Sequence, residues 1–337
     1  MATVTARSES IQLAAKACGL CKAQGQALRC SRCQVMYYCS REHQAEHHDQ
    51  HKGSCNRISK CRTAFANEKR KLDEMPDSFA FEADPFNTSV GYFWGIMETR
   101  PYMRVRARLI HDLMDIDSRE SVEMQLEHAR DMLRLSRGDN VGIRDTVPGQ
   151  LLQLGMDQEC YDFVKWYETT GQEGDYDWGN MSLPFLNVRD ADALEPVDYL
   201  SDNSWGICNK AGAMLVKVRI LLDLKDLQNN PAMSASIAGG HRFRSSILAK
   251  DPGVLNRIDH ASTIGTLESQ VKKLYKAVER ANKFFWGAML QPEEHLHELP
   301  AYFSPGDITE VQSMLKYVYP SWIMTPGAME MVKEMTK

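Results

Sequence analysis

The chain has 337 residues, of which 43% are hydrophobic and 25% are charged, and its formal net charge at pH 7 is -5. This composition is that of an ordinary globular protein, long enough for a small module and one large domain or two medium ones. No apolar run approaches the roughly 20 residues that span a bilayer, so no membrane association is expected. The negative charge argues against a protein whose whole surface binds nucleic acid.

The N-terminal segment 1–17 precedes the first cysteine of the chain. It lacks the basic start and long apolar core of a secretory signal. We therefore expect a cytoplasmic or nuclear protein that is not secreted. Thiols stay reduced in those compartments, which favours metal binding over a disulfide framework.

Eight potential metal ligands fall in the interval 18–55 with the spacing C-x2-C-x8-C-x2-C-x5-C-x3-H-x7-H-x3-C. In chain order they are Cys18, Cys21, Cys30, Cys33, Cys39, His43, His51 and Cys55. Zinc takes four thiolate or imidazole ligands in a tetrahedron, so eight ligands with no open position predict two closed structural sites. Metals bound in this way stabilise a fold and do not activate water.

Spacing alone leaves two pairings of these ligands open. Each C-x2-C pair can hold one ion from a tight turn, and a ligand pair on or beside a helix can complete the tetrahedron. The sites are then interleaved, with Cys18, Cys21, Cys39 and His43 on one ion and Cys30, Cys33, His51 and Cys55 on the other. A sequential pairing would give the first four ligands to one ion and the last four to the other. The imidazoles of His47 and His48 are alternative ligands in place of His43 or His51, and we interpret them as groups beside the sites.

Several short stretches resemble a MYND finger: Arg29-Cys30-Ser31-Arg32-Cys33, Tyr38-Cys39-Ser40, Gln44, His47, and His51-Lys52 ahead of Cys55. The resemblance implies the interleaved pairing, two zinc ions and a protein or peptide partner. It also implies that Gln44 and His48 lie at the peptide-binding surface. Many MYND fingers carry a tryptophan where this chain has His48, so proline-rich peptides are expected to bind weakly.

The finger is followed by a helix and linker over 56–90, with helix over Ser59–Arg70 and a linker marked by Pro76 and Pro85. A helical domain is predicted over 91–337. Asp117 with Glu120 predicts a helix start, followed by an apolar stripe from Val122 to Leu133. Further helices are predicted from the periodicity: one ending at Gly155, one opening at Asp157, and others over Lys210–Leu227 and Leu267–Phe285. Thr325 and Pro326 are predicted to cap a terminal helix.

The stretch 119–167 resembles a degenerate tetratricopeptide (TPR) array, with Asp139-Asn140 in a turn, Gly155 at a close approach and Cys160 at a small-residue position. The predicted fold is therefore mainly α, a small cross-braced two-zinc MYND finger followed by a TPR-like α-solenoid. The whole pattern resembles uncharacterised fungal proteins that join an N-terminal MYND finger to a TPR-like helical region. The finger is expected to depend on metal and the helical region on its own apolar stripes.

These features predict an adaptor that binds proteins, in transcriptional or other regulatory complexes, and not an enzyme. A SET-type lysine methyltransferase is disfavoured because only seventeen residues precede Cys18 and no cofactor-binding motif is recognised. An enzyme with an unrecognised site, built for example around Cys160 or Cys208, is one alternative. Nucleic-acid binding through the basic residues after the finger is another, although solvated helix faces explain such runs more often. These residues are Lys60, Arg62, Lys69, Arg70, Lys71, Arg104, Arg106 and Arg108.

Overall fold

The computed structural model describes residues 13–25, 27–77, 83–201, 206–230 and 243–337. Most of the segment 1–17 lies outside these ranges. Within them the chain is mainly helical, and its sheet consists of two strands of two residues each. The predicted mainly α fold is confirmed at this level. None of the helices in the described ranges has the length and apolar character needed to cross a bilayer.

The chain forms two compact units. The first, here called the finger unit, comprises Leu13–Gln150 and Asp177–Phe185, and the second, the C-terminal unit, comprises Leu151–Tyr176 and Leu186–Lys337. The elements of the finger unit are β1 (Leu28–Arg29), β2 (Tyr37–Tyr38), α1 (Arg41–Glu46), α2 (His48–Asp73), α3 (Pro85–Thr88), α4 (Arg100–Leu113) and α5 (Arg119–Leu135). Helix α6 (Val147–Gln153) contains the boundary. The C-terminal unit contains α7 (Asp157–Glu168), α8 (Asp198–Ser201), α9 (Ile207–Asn229), α10 (Pro252–Leu255), α11 (Ala261–Ala281), α12 (Phe285–Leu290), α13 (Ile308–Ile323) and α14 (Ala328–Thr336).

One hydrophobic core runs through the finger unit. Its buried members come from the cysteine-rich interval, from α2, and from α4 with the turn after it: Cys18, Cys30, Cys33, Val35, Met36, Tyr38, Cys55, Ile58, Cys61, Leu109, Leu113 and Ile116. Helix α2 supplies the link, since Cys55 lies in the cysteine-rich interval while Ile58 and Cys61 face α4. The apolar residues of the metal-ligand region therefore pack in the same core as those of α2 and α4.

Helix α5 begins one residue later than the sequence predicts. Ser118, not Asp117, is the N-cap residue, and its hydroxyl accepts a hydrogen bond from the Ser121 backbone N–H at 3.1 Å. The same hydroxyl donates to the Val35 carbonyl at 2.6 Å. A serine at this position thus satisfies an orphan helix donor and fastens the start of α5 to the cysteine-rich interval.

In the C-terminal unit, α9 is buried around its whole circumference and packs along α11. Such a helix lies inside a core instead of on a surface. Its buried residues include Lys210, Lys217, Arg219 and Asp223, so the core of this unit contains charged groups. The predicted cap of the terminal helix is wrong: α14 starts at Ala328 after Gly327, whose φ of 86° is in the left-handed region that favours glycine.

Candidate metal centre

Two tight turns present the C-x2-C pairs. In the first turn Lys22 has a positive φ and its N–H donates to the Cys18 carbonyl at 2.9 Å. In the second, Gln34 has a positive φ and its N–H donates to the Cys30 carbonyl at 3.0 Å. Each turn reverses the chain sharply enough to bring both of its thiols toward one point.

The remaining ligands follow from the strand pair and the first two helices. Antiparallel pairing of β1 and β2 places Leu28 opposite Tyr38, and Cys39 follows β2 directly. Ser40 then caps α1, accepting from the His43 N–H at 3.3 Å, which fixes the helix that carries His43. Helix α2 carries His51 and Cys55 one turn apart, so that both side chains lie on one face.

The first site gathers two buried or half-buried and two exposed side chains, Cys18, Cys21, Cys39 and His43. The Cys21 and Cys39 sulfurs are 3.7 Å apart. His43 Nδ1 lies 3.6 Å from the Cys18 sulfur and 3.1 Å from the Cys39 sulfur. The imidazole thus faces the group through its Nδ1 atom.

The second site is buried and gathers Cys30, Cys33, His51 and Cys55. The Cys30 and Cys55 sulfurs are 3.7 Å apart, and His51 Nε2 lies 3.5 Å from the Cys33 sulfur. The described residues thus assemble the ligands in the interleaved pairing and not the sequential one.

These separations fit zinc. With zinc–sulfur and zinc–nitrogen bonds of about 2.3 and 2.0 Å, a tetrahedron has sulfur–sulfur edges of about 3.8 Å and sulfur–nitrogen edges of about 3.5 Å. In both groups all four ligand atoms lie within 4.8 Å of one another. The two Cys3His sets therefore fit two zinc ions, as the sequence predicts, and each set fills its tetrahedron with protein ligands.

The pKa values of the thiols show how a cation would act on them. Burial, followed by the charges of Cys33 and Cys30, raises the pKa of Cys55 to about 12. Burial also opposes ionisation of Cys18, but the Cys21 and Cys39 backbone N–H groups and the His43 side chain outweigh it and bring the pKa to about 6. A divalent ion held by each group would offset the repulsion between the thiolates and favour the deprotonated form of all three thiols.

His47 lies beside the second site and is not one of its ligands. Its Nδ1 atom is 3.1 Å from the Tyr38 hydroxyl, and its ring stacks on that of His51 with the centroids 5.9 Å apart. Tyr38 is fully buried and packs its ring edge-on to both imidazoles. The interpretation of His47 as a supporting group agrees with this placement.

Arg62 also supports the second site, a role that the sequence did not indicate. Arg62 lies on α2, and its guanidinium donates to the Cys33 carbonyl at 2.9 Å and to Gln34 Oε1 at 2.9 Å. These bonds hold the second turn against α2. In the sequence Arg62 looked like one more charge of a basic run. Only its contacts with the second turn distinguish Arg62 from the other residues of that run.

The two residues assigned to peptide binding lie at the surface of the finger. Gln44 is half-buried on α1. The His48 side chain is 65% exposed at the start of α2, and its Nδ1 atom is 3.3 Å from a carboxylate oxygen of Asp49. Both side chains are therefore accessible to a partner, and their role in peptide binding stays a prediction.

A comparison with protein-family models matches residues 18–55 to the MYND finger. The match covers the interval that contains all eight ligands. Neither a search of the curated proteins nor one of the solved structures gives a significant match. The chain thus contains a MYND-type zinc finger, a protein-interaction module, together with a helical region.

Proposed function

We propose that this protein is a nonenzymatic adaptor that binds protein or peptide partners through its MYND finger and its helical region. The observation that carries the proposal is the closure of both metal sites. A catalytic zinc keeps a position for water or substrate, whereas each Cys3His set here supplies all four ligands. The metals therefore shape a binding surface. We place the protein in the cytoplasm or the nucleus and include in the proposal a degenerate TPR-like arrangement of the helices, as in the fungal proteins that the sequence resembles.

The cysteines outside the finger support a nonenzymatic role. Cys160 is fully buried, and burial strongly raises the pKa of its thiol, which disfavours the nucleophilic thiolate. Cys208 is buried as well, on the helix that lies inside the C-terminal unit. Neither thiol has the exposure of a reactive cysteine.

The basic residues after the finger give little support to nucleic-acid binding. Five of the eight are held by partners within the chain: Arg62 on the Cys33 carbonyl, Lys69 on Asp73, Lys71 on Glu68, Arg106 on Asp131, and Arg108 on Asp112. Contacts to phosphates need lysine or arginine side chains whose charge is available to the nucleic-acid backbone. These intrachain partners favour a structural role for Arg62, Arg106 and Arg108 over phosphate binding.

The proposed role of the finger surface can be tested by restoring an indole at position 48. Stacking on an aromatic ring contributes roughly 0.5–1.5 kcal/mol beyond area burial, so His48→Trp should tighten binding of a proline-leucine-proline peptide by up to about tenfold. Gln44→Ala in the same background should weaken it. Fluorescence anisotropy of one labelled peptide measures all three affinities.

A matched control places the same substitution elsewhere. His297 is exposed in the C-terminal unit, and His297→Trp should leave the peptide affinity unchanged. If His48→Trp and the unmodified protein bind the peptide equally, this surface is not the recognition site, and partner binding would have to be sought on the helical region.

A separate titration tests the proposal that the protein is not a methyltransferase. S-adenosylmethionine is expected to show no binding, and micromolar affinity would instead support the enzyme hypothesis.

A further inference from the structure

An outward-facing aromatic and cationic surface lies in the finger unit at the start of α4. It is formed by Tyr92, Trp94, Met97, Arg100 and Arg104, and is called the Trp94 surface below. Tyr92 is 60% exposed and Met97 is 64% exposed, while Trp94 and Arg100 are half-buried and Arg104 is exposed. Large apolar side chains on a well-fixed segment of a protein surface are typical of contact sites.

The segment that carries this surface is firmly anchored. Two 3-10 turns, Phe93–Gly95 and Met97–Thr99, bury Phe93, Ile96 and Thr99. The Thr99 hydroxyl donates to the Phe93 and Ile96 carbonyls. The exposed side chains are thus the positions that alternate with these anchors. They do not belong to a frayed loop.

The Tyr92 ring lies over Gly95, which has no side chain to displace it. A Cβ atom at Gly95 would lie 2.3 Å from two carbon atoms of the Tyr92 ring, so the ring occupies the space that any other residue would need. An isolated β-bridge joins Tyr92 to Ser136, which fixes the backbone beneath the ring. The backbone that carries Tyr92 is therefore preorganised, which lowers the entropic cost of binding.

Two guanidinium groups flank the indole. The Arg100 and Arg104 guanidinium carbons each lie 5.4 Å from the centre of the Trp94 ring. Arg100 also donates from Nε to the Trp94 carbonyl at 2.9 Å, which fixes its side chain. Among the described residues neither arginine forms an ion pair, whereas Arg106 and Arg108 on the same helix do. Guanidinium groups that stack on an indole keep N–H donors in their plane for a carboxylate.

We propose that the Trp94 surface binds an acidic peptide segment of a partner protein, with carboxylates on Arg100 and Arg104 and a large apolar side chain against Tyr92 and Met97. The inference deepens the proposed adaptor function and adds a contact site separate from Gln44 and His48. The segment presents two guanidinium groups and one exposed carboxylate, Glu98, and the excess of positive charge favours an acidic occupant. A single-stranded nucleic acid is less well matched because it presents a row of phosphates, and this surface offers two cations beside a run whose other members are mostly paired.

The test uses an array of synthetic peptides in which glutamate and phenylalanine positions are varied, probed with the full-length protein. The proposal expects selection of peptides that combine both residue types, and no binding of the same peptides with lysine in place of glutamate. Arg104→Glu should lower the affinity for the selected peptides about tenfold or more, because it reverses one charge-assisted contact. Tyr92→Ala should lower the affinity without changing the preference for glutamate.

Arg70→Glu is the matched control, since Arg70 is exposed, belongs to the same basic run and lies on α2 of the same unit. It should leave the affinity unchanged. Equal losses in both charge reversals, no selection of acidic peptides, or preferential binding of oligothymidylate would each overturn the proposal. So would a concentration-dependent dimer abolished by Arg104→Glu, which would assign the surface to a second copy of the chain. The response of the proline-rich peptide to His48→Trp tests the finger separately, so either site can fail without the other.

Discussion

The two units differ in how the polar groups buried in their cores are stabilised. In the finger unit the buried thiols and imidazole of Cys30, Cys33, His51 and Cys55 are arranged to share a metal ion. In the C-terminal unit two buried charges of α9, Arg219 and Asp223, form ion pairs with other side chains of the protein. Arg219, for example, is fully buried and pairs with the fully buried Asp157 at 2.6 Å. The first arrangement is therefore expected to depend on a metal ion from solution, whereas the ion pairs of the second form within the chain.

The largest effect is expected from removing one ligand of the buried metal site. Structural zinc contributes on the order of 10 kcal/mol to folding, and the site shares its core with α4. Cys55→Ser should reduce the zinc content from two ions to about one per chain and increase hydrogen exchange in α4 as well as in the finger. The amides of α9 should keep their protection.

Cys61→Ser is the control for this variant, because Cys61 is also buried on α2 but donates to the Val105 carbonyl at 3.4 Å and ligates no metal. It should retain two zinc ions. Unchanged protection of α4 in Cys55→Ser would mean that the finger folds by itself. The sequence predicts that metal removal affects the finger alone, whereas the shared core leads us to expect an effect on α4 as well, and this measurement distinguishes the two.

The next largest effect should come from breaking the buried ion pair of the C-terminal unit. Arg219 donates to Asp157 and to the Leu152 carbonyl, and its Nε donates to the Thr325 hydroxyl at 3.0 Å. Arg219→Met leaves the Asp157 charge buried without its partner and should lower the free energy of unfolding of this unit by about 3–5 kcal/mol. Hydrogen exchange of the α9 amides, recorded at increasing urea concentrations, measures the change in this free energy.

Two further variants sharpen this comparison. Lys273→Met removes an exposed ion pair with Asp198 in the same unit and should leave stability near that of the unmodified protein. The double variant Arg219→Met with Asp157→Leu should recover part of the loss, since it removes both charges. A loss in Lys273→Met as large as that in Arg219→Met would show that burial is not what makes the pair important.

A smaller, pH-dependent effect is expected from Lys217. Its ammonium group is fully buried and donates to the Ala193 and Glu195 carbonyls and to Gln270 Oε1. Burial lowers its pKa from 10.5 to about 8, against the opposing charges of Glu195 and Asp192. Above pH 8 the native state loses this proton while the unfolded chain keeps it up to about pH 10.5, so the unfolded state binds more protons over that interval.

The Lys217 contribution to the free energy of unfolding should therefore rise with pH between about 8 and 10.5 and be constant below pH 8. The slope can reach about 1.4 kcal/mol per pH unit. Comparing the pH dependence of urea denaturation in the unmodified protein and in Lys217→Met isolates it. Equal slopes in the two proteins would mean that Lys217 does not change its protonation on folding.

Local patterns in the sequence were sufficient for the metal-ligand residues and for several helices, but they left the pairing of the ligands open. Zinc selects residue types, and the short C-x2-C spacings place each thiol pair within one turn, so the eight ligands and two ions could be predicted without the fold. The apolar stripe that begins at Val122 predicted α5, and Asp157 was correctly predicted to open a helix. Each C-x2-C pair and each helix depends on residues a few positions apart, where backbone geometry alone fixes the distances. The interleaved sites join ligands up to 25 positions apart, and that pairing needed the tertiary structure.

The partners of the charged residues were decided by the tertiary structure. Arg62 reaches Cys33, and Arg219 reaches Asp157 and Thr325, across separations of 29, 62 and 106 positions in the chain. Thr325, predicted as a helix cap, instead accepts from Arg219 and donates to the Ser321 carbonyl. Sequence spacing cannot predict such pairs, because they form only when packing brings distant helices together, and burial then makes an unpaired charge too costly to leave.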